Sequence, residues 1–200
     1  MTNTFTAPLL PTSYLPTSYL DATGNIDYGM TNDYMFRAIL QENTVALTGL
    51  LCSLLHLNPK DIISVEITNP ILLGNKIDSK DFIFDINILL NNNTVLNLEM
   101  QVTNQLNWPE RSLCYFCRSY DQLYSGEEYQ TIKPVIHIGF LDFTPFKDVP
   151  EFYATYKLMN VRNHHLYSDK FTLCMVDLTH IKLATAEDKA YQIQHKLYIS

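Results

Sequence analysis

The stretch DFIFDINILLNNNTVLNLEMQ, residues 81–101, alternates apolar side chains with acids and amides on both sides of a run of three asparagines. Successive residues of a strand point to opposite faces of a sheet, so this period-two pattern sorts the stretch into two faces. Phe82, Phe84, Ile86, Ile88 and Leu90 share one parity with Leu96, Leu98 and Met100 once the chain turns back, and that face is expected to be core. The other parity carries Asp81, Asp85, Asn87, Asn97, Glu99 and Gln101, interrupted by Ile83, Leu89 and Val95. The asparagines at 91–93 supply the turn, because Asn tolerates the left-handed backbone that tight hairpins use. A three-residue loop sets Leu90 opposite Thr94 and, counted back along both strands, Asp85 opposite Glu99. A two-residue loop shifts the pairing by one and places the acids on opposite faces. Like charges opposed across a ladder are destabilising. The polar face is therefore a solvated surface, a place where a carboxylate titrates abnormally, or a site where two acids share a cation.

Composition narrows the setting. With 200 residues and 46% hydrophobic content, the chain can bury a full single-domain core. No run approaches the roughly 18 consecutive apolar residues of a membrane span, so no membrane partner is expected. MTNTFTAPLL at the N-terminus lacks the basic and apolar regions of a secretory signal, which points to the cytoplasm. Cys52, Cys114, Cys117 and Cys174 include one C-x-x-C spacing inside a helical pattern, with no second pair to complete a tetrahedral zinc site. They are expected to be reduced core thiols. The formal charge is −7, and the 14 Lys and Arg are scattered. General polyanion binding through a basic patch is thereby disfavoured, and any nucleic-acid role has to be local and metal-assisted.

Along the chain, residues 1–28 hold the tandem PTSYLPTSYL and are expected to be a flexible leader, with a single domain over 29–200. Thr31, Asn32 or Asp33 can cap a short helix through TNDYMFRAIL. A second helix follows in ENTVALTGLLCSLLHL, where Leu47, Leu50, Leu51, Leu54 and Leu55 make one stripe and Glu42 at the start suits the helix dipole. IISVEIT reads as a strand before the hairpin. After it, NWPERSLCYFCRSYDQLYSGEEY places Pro109 and Gly126 at the two ends of a helix. Leu113, Phe116, Cys117, Tyr120 and Tyr124 form its expected buried stripe; Arg111, Tyr115, Arg118 and Gln122 form a second stripe, suited to phosphate or simply solvated. KPVIHIGFLDF is a buried strand in which His137 is expected to be a satisfied core histidine, and FYATYKLMNV and KFTLCMVDL are two more. His164 and His165, in the loop between the last two, have no acid or Cys set nearby. ATAEDKAYQIQHKLYIS begins a helix with no cap or stop signal, and the chain is expected to be truncated there.

The order is α, β, β, β, α, β. The segments NDYMFRAIL, FDINI, LNLEMQ, RSLCYF and GEEYQTIKPVIHIGFLDF, taken in series over residues 31–180, resemble the PD-(D/E)XK family transposases, also called recombination-promoting nucleases. The resemblance implies an α/β (α+β), restriction-endonuclease-like core, a mixed sheet flanked by helices. It also implies that Asp85 and Glu99 bind a divalent cation and that Gln101 completes the motif. Mg²⁺ is the expected ion, with Mn²⁺ as substitute, the Met100 carbonyl as a third oxygen, and an upstream helical acid, Glu42 ahead of Asp33. Gln101 stands where the superfamily usually has Lys, so a hydrogen-bonding amide replaces a point charge. Arg111 or Arg118 is the candidate to supply that charge to DNA phosphate. The implied function is a Mg²⁺-dependent DNA endonuclease of the recombination-promoting type. The alternative is an inactive nuclease fold used for DNA or protein binding. Double-strand cleavage uses two sites, which is compatible with a homodimer.

Overall fold

The computed structural model describes residues 31–68 and 86–188, apart from 32 and 187. The leader, Asp85 with the residues just before it, and the chain from 189 lie outside them. The hairpin that governs the fold pairs β2 (Ile86–Leu90) with β3 (Thr94–Gln101), antiparallel, with Leu90 opposite Thr94, Asn87 opposite Asn97 and Ile86 opposite Leu98. The loop is the three-residue one. Asn91 and Asn92 adopt φ of 51° and 58°, the left-handed region that Asn reaches at low cost. Asn91 also fastens the preceding loop. Its Oδ1 accepts from the Ile63 and Ser64 amides at 2.7 and 3.2 Å, and its Nδ2 donates to the Asp61 carbonyl at 2.9 Å.

From this hairpin the sheet grows both ways. β1 (Val65–Ile67) lies antiparallel outside β2. On the other side β4 (Val135–Leu141) runs parallel to β3, β6 (Phe171–Asp177) runs parallel to β4, and β5 (Tyr153–Tyr156) closes the edge antiparallel to β6. The result is a six-stranded mixed sheet in the order β1-β2-β3-β4-β6-β5. A parallel neighbour needs a crossover, and α3 (Trp108–Tyr120) makes it between β3 and β4. The helical, mixed-sheet α/β architecture expected from the sequence is the one observed.

One face of the sheet is covered by α1 (Asp33–Glu42) and α2 (Thr44–Leu55). Phe36, Leu40, Leu47 and Leu51 meet Ile86, Ile88, Leu96, Leu98 and Met100 there, the apolar parity of the hairpin. Full burial of each such side chain stabilises by roughly 2 kcal/mol. Asn43 caps α2, its side chain accepting from the Ala46 amide at 2.9 Å. Glu42 is therefore the exposed last residue of α1 rather than the opening acid of α2, because the cap takes the chain out of helix between them.

Two further expectations are corrected. Cys52 and Cys174 are buried, but Cys114 and Cys117 are exposed, since the face of α3 that carries them turns to solvent. The segment after β6 does have a cap: the Thr185 amide donates to Asp188 Oδ2 at 2.6 Å while the Asp188 amide donates to Thr185 Oγ1 at 3.2 Å, a reciprocal capping box. No helix among the described residues is long and apolar enough to cross a membrane.

Candidate active site

The opposite face of the sheet is covered by α3, and here the hairpin's polar parity goes under the helix instead of into solvent. Asn97 is 2% exposed and Glu99 3%. The sheet offers α3 a strip of polar groups, and α3 answers with Trp108, Ser112, Tyr115 and Phe116 as its buried residues. Of the expected buried stripe, Phe116 is buried and Tyr120 half-buried, whereas Leu113, Cys117 and Tyr124 are exposed, because apolar periodicity alone is a poor guide to the inner face of a helix that packs on polar groups. Tyr115 and Arg111, expected on a separate outward stripe, turn toward the sheet, while Arg118 is exposed.

Two polar links join α3 to β3. Toward the end of the helix, the Ser119 hydroxyl donates to Asn97 Oδ1 at 2.6 Å, and Asn97 in turn donates to the side chain of Asn87. Near its start, Arg111 Nε donates to Glu99 Oε1 at 2.5 Å, an ion pair in which Glu99 is almost wholly buried and Arg111 is 32% exposed. Arg111 is itself oriented by Tyr115, with Nη2 donating to the phenol oxygen at 3.1 Å and the guanidinium 5.0 Å from the ring centre. A buried carboxylate requires such a partner, since an uncompensated charge at this depth is strongly destabilising.

β4 builds the floor. Gly139 lies beside Glu99 in the parallel ladder. A Cβ at position 139 would stand 2.1 Å from the Cη2 atom of Trp108, so only glycine admits the indole this close to the sheet. Two residues earlier, His137 is fully buried between the rings of Trp108 and Tyr115, with centroids 5.9 and 6.0 Å away. It is a core histidine as expected, but it is not satisfied: neither ring nitrogen has a hydrogen-bond partner among the described residues. Its Nε2 stands 3.5 Å from Glu99 Oε2. Burial, and secondly the Arg111 charge, push its pKa down to about 4, so the ring is neutral.

The remaining expected site residues are distributed as follows. Gln101 ends β3, its Nε2 donating to the Thr103 carbonyl at 2.8 Å, which turns the amide onto the chain's own loop. Met100 puts its side chain into the apolar core. Glu42 belongs to the helical layer across the sheet from Glu99, whereas Asp85 and the side chain of Asp33 lie outside the described residues. Asp177, level with Gln101 through Leu141, is engaged locally: Oδ1 accepts from the Thr179 amide at 2.9 Å and Oδ2 stands 3.1 Å from His180 Nδ1. No group of three or more His, Cys, Asp or Glu gathers as a metal cluster among the described residues.

The polar side chains at this end of β3, Glu99 and Gln101, carry oxygen atoms, and hard divalent cations prefer oxygen donors. His137, Trp108 and Tyr115 were the parts of the site that the sequence concealed. Parity places His137 and Gly139 on one face of β4, but only the fold brings that face beside Glu99.

A family model described as PD-(D/E)XK nuclease family transposase matches residues 30–199. No curated protein and no solved structure matches the chain. The match spans nearly the whole sequence and the mixed sheet with its crossover helix agrees with it, so the chain belongs to the PD-(D/E)XK nuclease family transposases.

Proposed function

We propose that the protein is a divalent-metal-dependent DNA endonuclease of the recombination-promoting type, with Asp85 and Glu99 as the acids that hold Mg²⁺ or Mn²⁺. The observation that carries the reading is a carboxylate only 3% exposed, on a hairpin paired in the three-residue-loop register, in a chain of the PD-(D/E)XK nuclease family transposases. Counted along the sequence in that register, Asp85, which lies outside the described residues, falls opposite Glu99, a pairing that a shared cation would make tolerable.

A divalent cation here supplies Lewis acidity toward the phosphate and toward the attacking water. Glu99 presents a fixed negative group from a dry pocket, and the Met100 carbonyl adds a neutral oxygen. Gln101, whose amide nitrogen donates to the Thr103 carbonyl, would offer its side-chain oxygen as a neutral acceptor in place of the usual positive charge. Arg111 is the cation closest to the carboxylate and is one-third exposed, so it can meet a DNA phosphate while still bonded to Glu99. Arg118, exposed two turns further along α3, is a second phosphate contact. Glu42 is a weaker ligand candidate from across the sheet.

The Arg111–Glu99 pair also favours a second reading, an inactive nuclease fold used for binding, because the carboxylate is already compensated without a cation. Metal binding separates the two. Calorimetric titration with Mg²⁺ and Mn²⁺ beside plasmid nicking, on wild type and Asp85→Asn, is expected to show binding and nicking together and their joint loss in the variant. Neither signal in the wild type would leave the binding module as the better description.

A further inference from the structure

We infer that His137 is a positioning residue: from its buried place on β4 it holds the Oε2 side of the Glu99 carboxylate through Nε2, so that, with Arg111 on Oε1, Glu99 keeps one fixed orientation toward a divalent cation. The inference rests on the proposed metal role of Glu99 and adds to it a residue that the motif does not contain.

The physical case begins with an oddity. β4 reads VIHIGFL, and every neighbour of His137 in the strand is aliphatic, aromatic or glycine. A buried imidazole with no hydrogen bond among the described residues is expensive to keep, and a leucine would fill similar space without a polar group to desolvate. The ring is nevertheless boxed in by Trp108 and Tyr115, each tilted 31° to it, which limits its rotation. Trp108 reaches that position only because residue 139 is glycine. The polar group the box aims at is Glu99, whose Oε2 lies 3.5 Å from Nε2. That separation exceeds a formed hydrogen bond, and a movement of roughly 0.5 Å by the carboxylate closes it. With a proton on Nε2 the ring donates toward Glu99 Oε2, the acceptor that faces it. Groups that orient a ligating carboxylate from behind typically change metal affinity 10–100-fold when removed.

The test uses the full chain and Mn²⁺ as probe, followed by calorimetry and by quenching of Trp108, the single tryptophan of the sequence. Thermal unfolding is recorded on the same samples. His137→Leu is expected to unfold at a temperature no lower than wild type, yet to bind Mn²⁺ about 10–100-fold more weakly. His137→Gln, whose amide N–H falls near the position of Nε2, is expected to recover most of the affinity, and His137→Asn, whose amide stops short, is not. Equal Mn²⁺ affinity in wild type and His137→Leu would overturn the inference while leaving Glu99 as a ligand, as would His137→Gln no better than His137→Asn. If His137→Leu does not fold, the Gln and Asn pair decides alone. Wild type that binds no Mn²⁺, with Glu99→Gln indistinguishable from it, would instead remove the metal reading and the inference together.

Discussion

The two faces of this sheet are made by alternate residues of the same strands and behave as different materials. Toward α1 and α2, Ile86, Ile88, Leu96, Leu98 and Met100 form a dry apolar layer without a polar side chain among them. Toward α3, Asn97, Glu99 and His137 form a buried polar strip bridged by Ser119 and Arg111. The first face contributes area removed from water, which is tolerant of detail and large in sum. The second contributes little net stability, because buried ion pairs and hydrogen bonds chiefly repay their own desolvation. Its value lies in fixing where a carboxylate points.

That contrast can be broken by changing one face at a time. Glu99→Gln should lower plasmid nicking by at least about 1000-fold, equivalent to ~4 kcal/mol of barrier, and leave the unfolding temperature within a few degrees of wild type. A large loss of stability would show that the polar face carries the fold after all. Leu98→Ala, one residue away on the other face, should cost about 2–5 kcal/mol in urea unfolding, with the Mn²⁺ affinity of the folded fraction unchanged. Reduced affinity there would mean that the faces are coupled through the strand.

Arg111→Met sharpens the comparison. It strands a buried carboxylate, so stability should fall by about 2–3 kcal/mol, below the usual cost for a fully buried pair because Arg111 is 32% exposed. Mg²⁺ should then raise the melting temperature of the variant more than that of wild type, since the cation takes over the compensation. Adding Glu99→Leu should recover most of the lost stability.

The smallest effect belongs to Tyr153, which ties β5 to α2 by donating to the Leu54 carbonyl at 2.6 Å. Tyr153→Phe should cost about 1 kcal/mol at neutral pH. Burial, and secondly the neighbouring Cys174, hold the Tyr153 pKa well above its ordinary 10.0. Its contribution is therefore complete below pH 10 and is lost as the pH climbs above it, where the unfolded chain ionises and the folded one resists. Alkaline unfolding curves of the Phe variant should lack that component.

The apolar face was legible in the sequence and the polar face only half so, for a physical reason. Parity and the Asn run located the hairpin and offered the Leu90–Thr94 pairing as one of two registers, because strand alternation and turn chemistry are local; the fold selects that one. Whether Asn97 and Glu99 met water or a helix depended on the crossover that returns the chain over them, which no local pattern encodes. The same reasoning misplaced the inner face of α3. Counting apolar residues selected Phe116, which is buried, but also Leu113 and Cys117, which are exposed, and passed over Trp108, Ser112 and Tyr115, which pack against groups that are themselves polar. For Glu42 the error was one of punctuation, since Asn43 ends one helix and caps the next.

The unequal lengths of the strands have a consequence for crowded chains. β3, β4 and β6 run to eight, seven and seven residues, whereas the outer strands β1 and β5 have only three and four. An exposed edge is a template onto which a neighbouring backbone can zip, and brevity is a standard defence against it. Among the described residues each edge of this sheet presents too short a ladder for a stray strand to grip, so the long, β-rich interior is shielded from the templated growth that its own composition would otherwise invite.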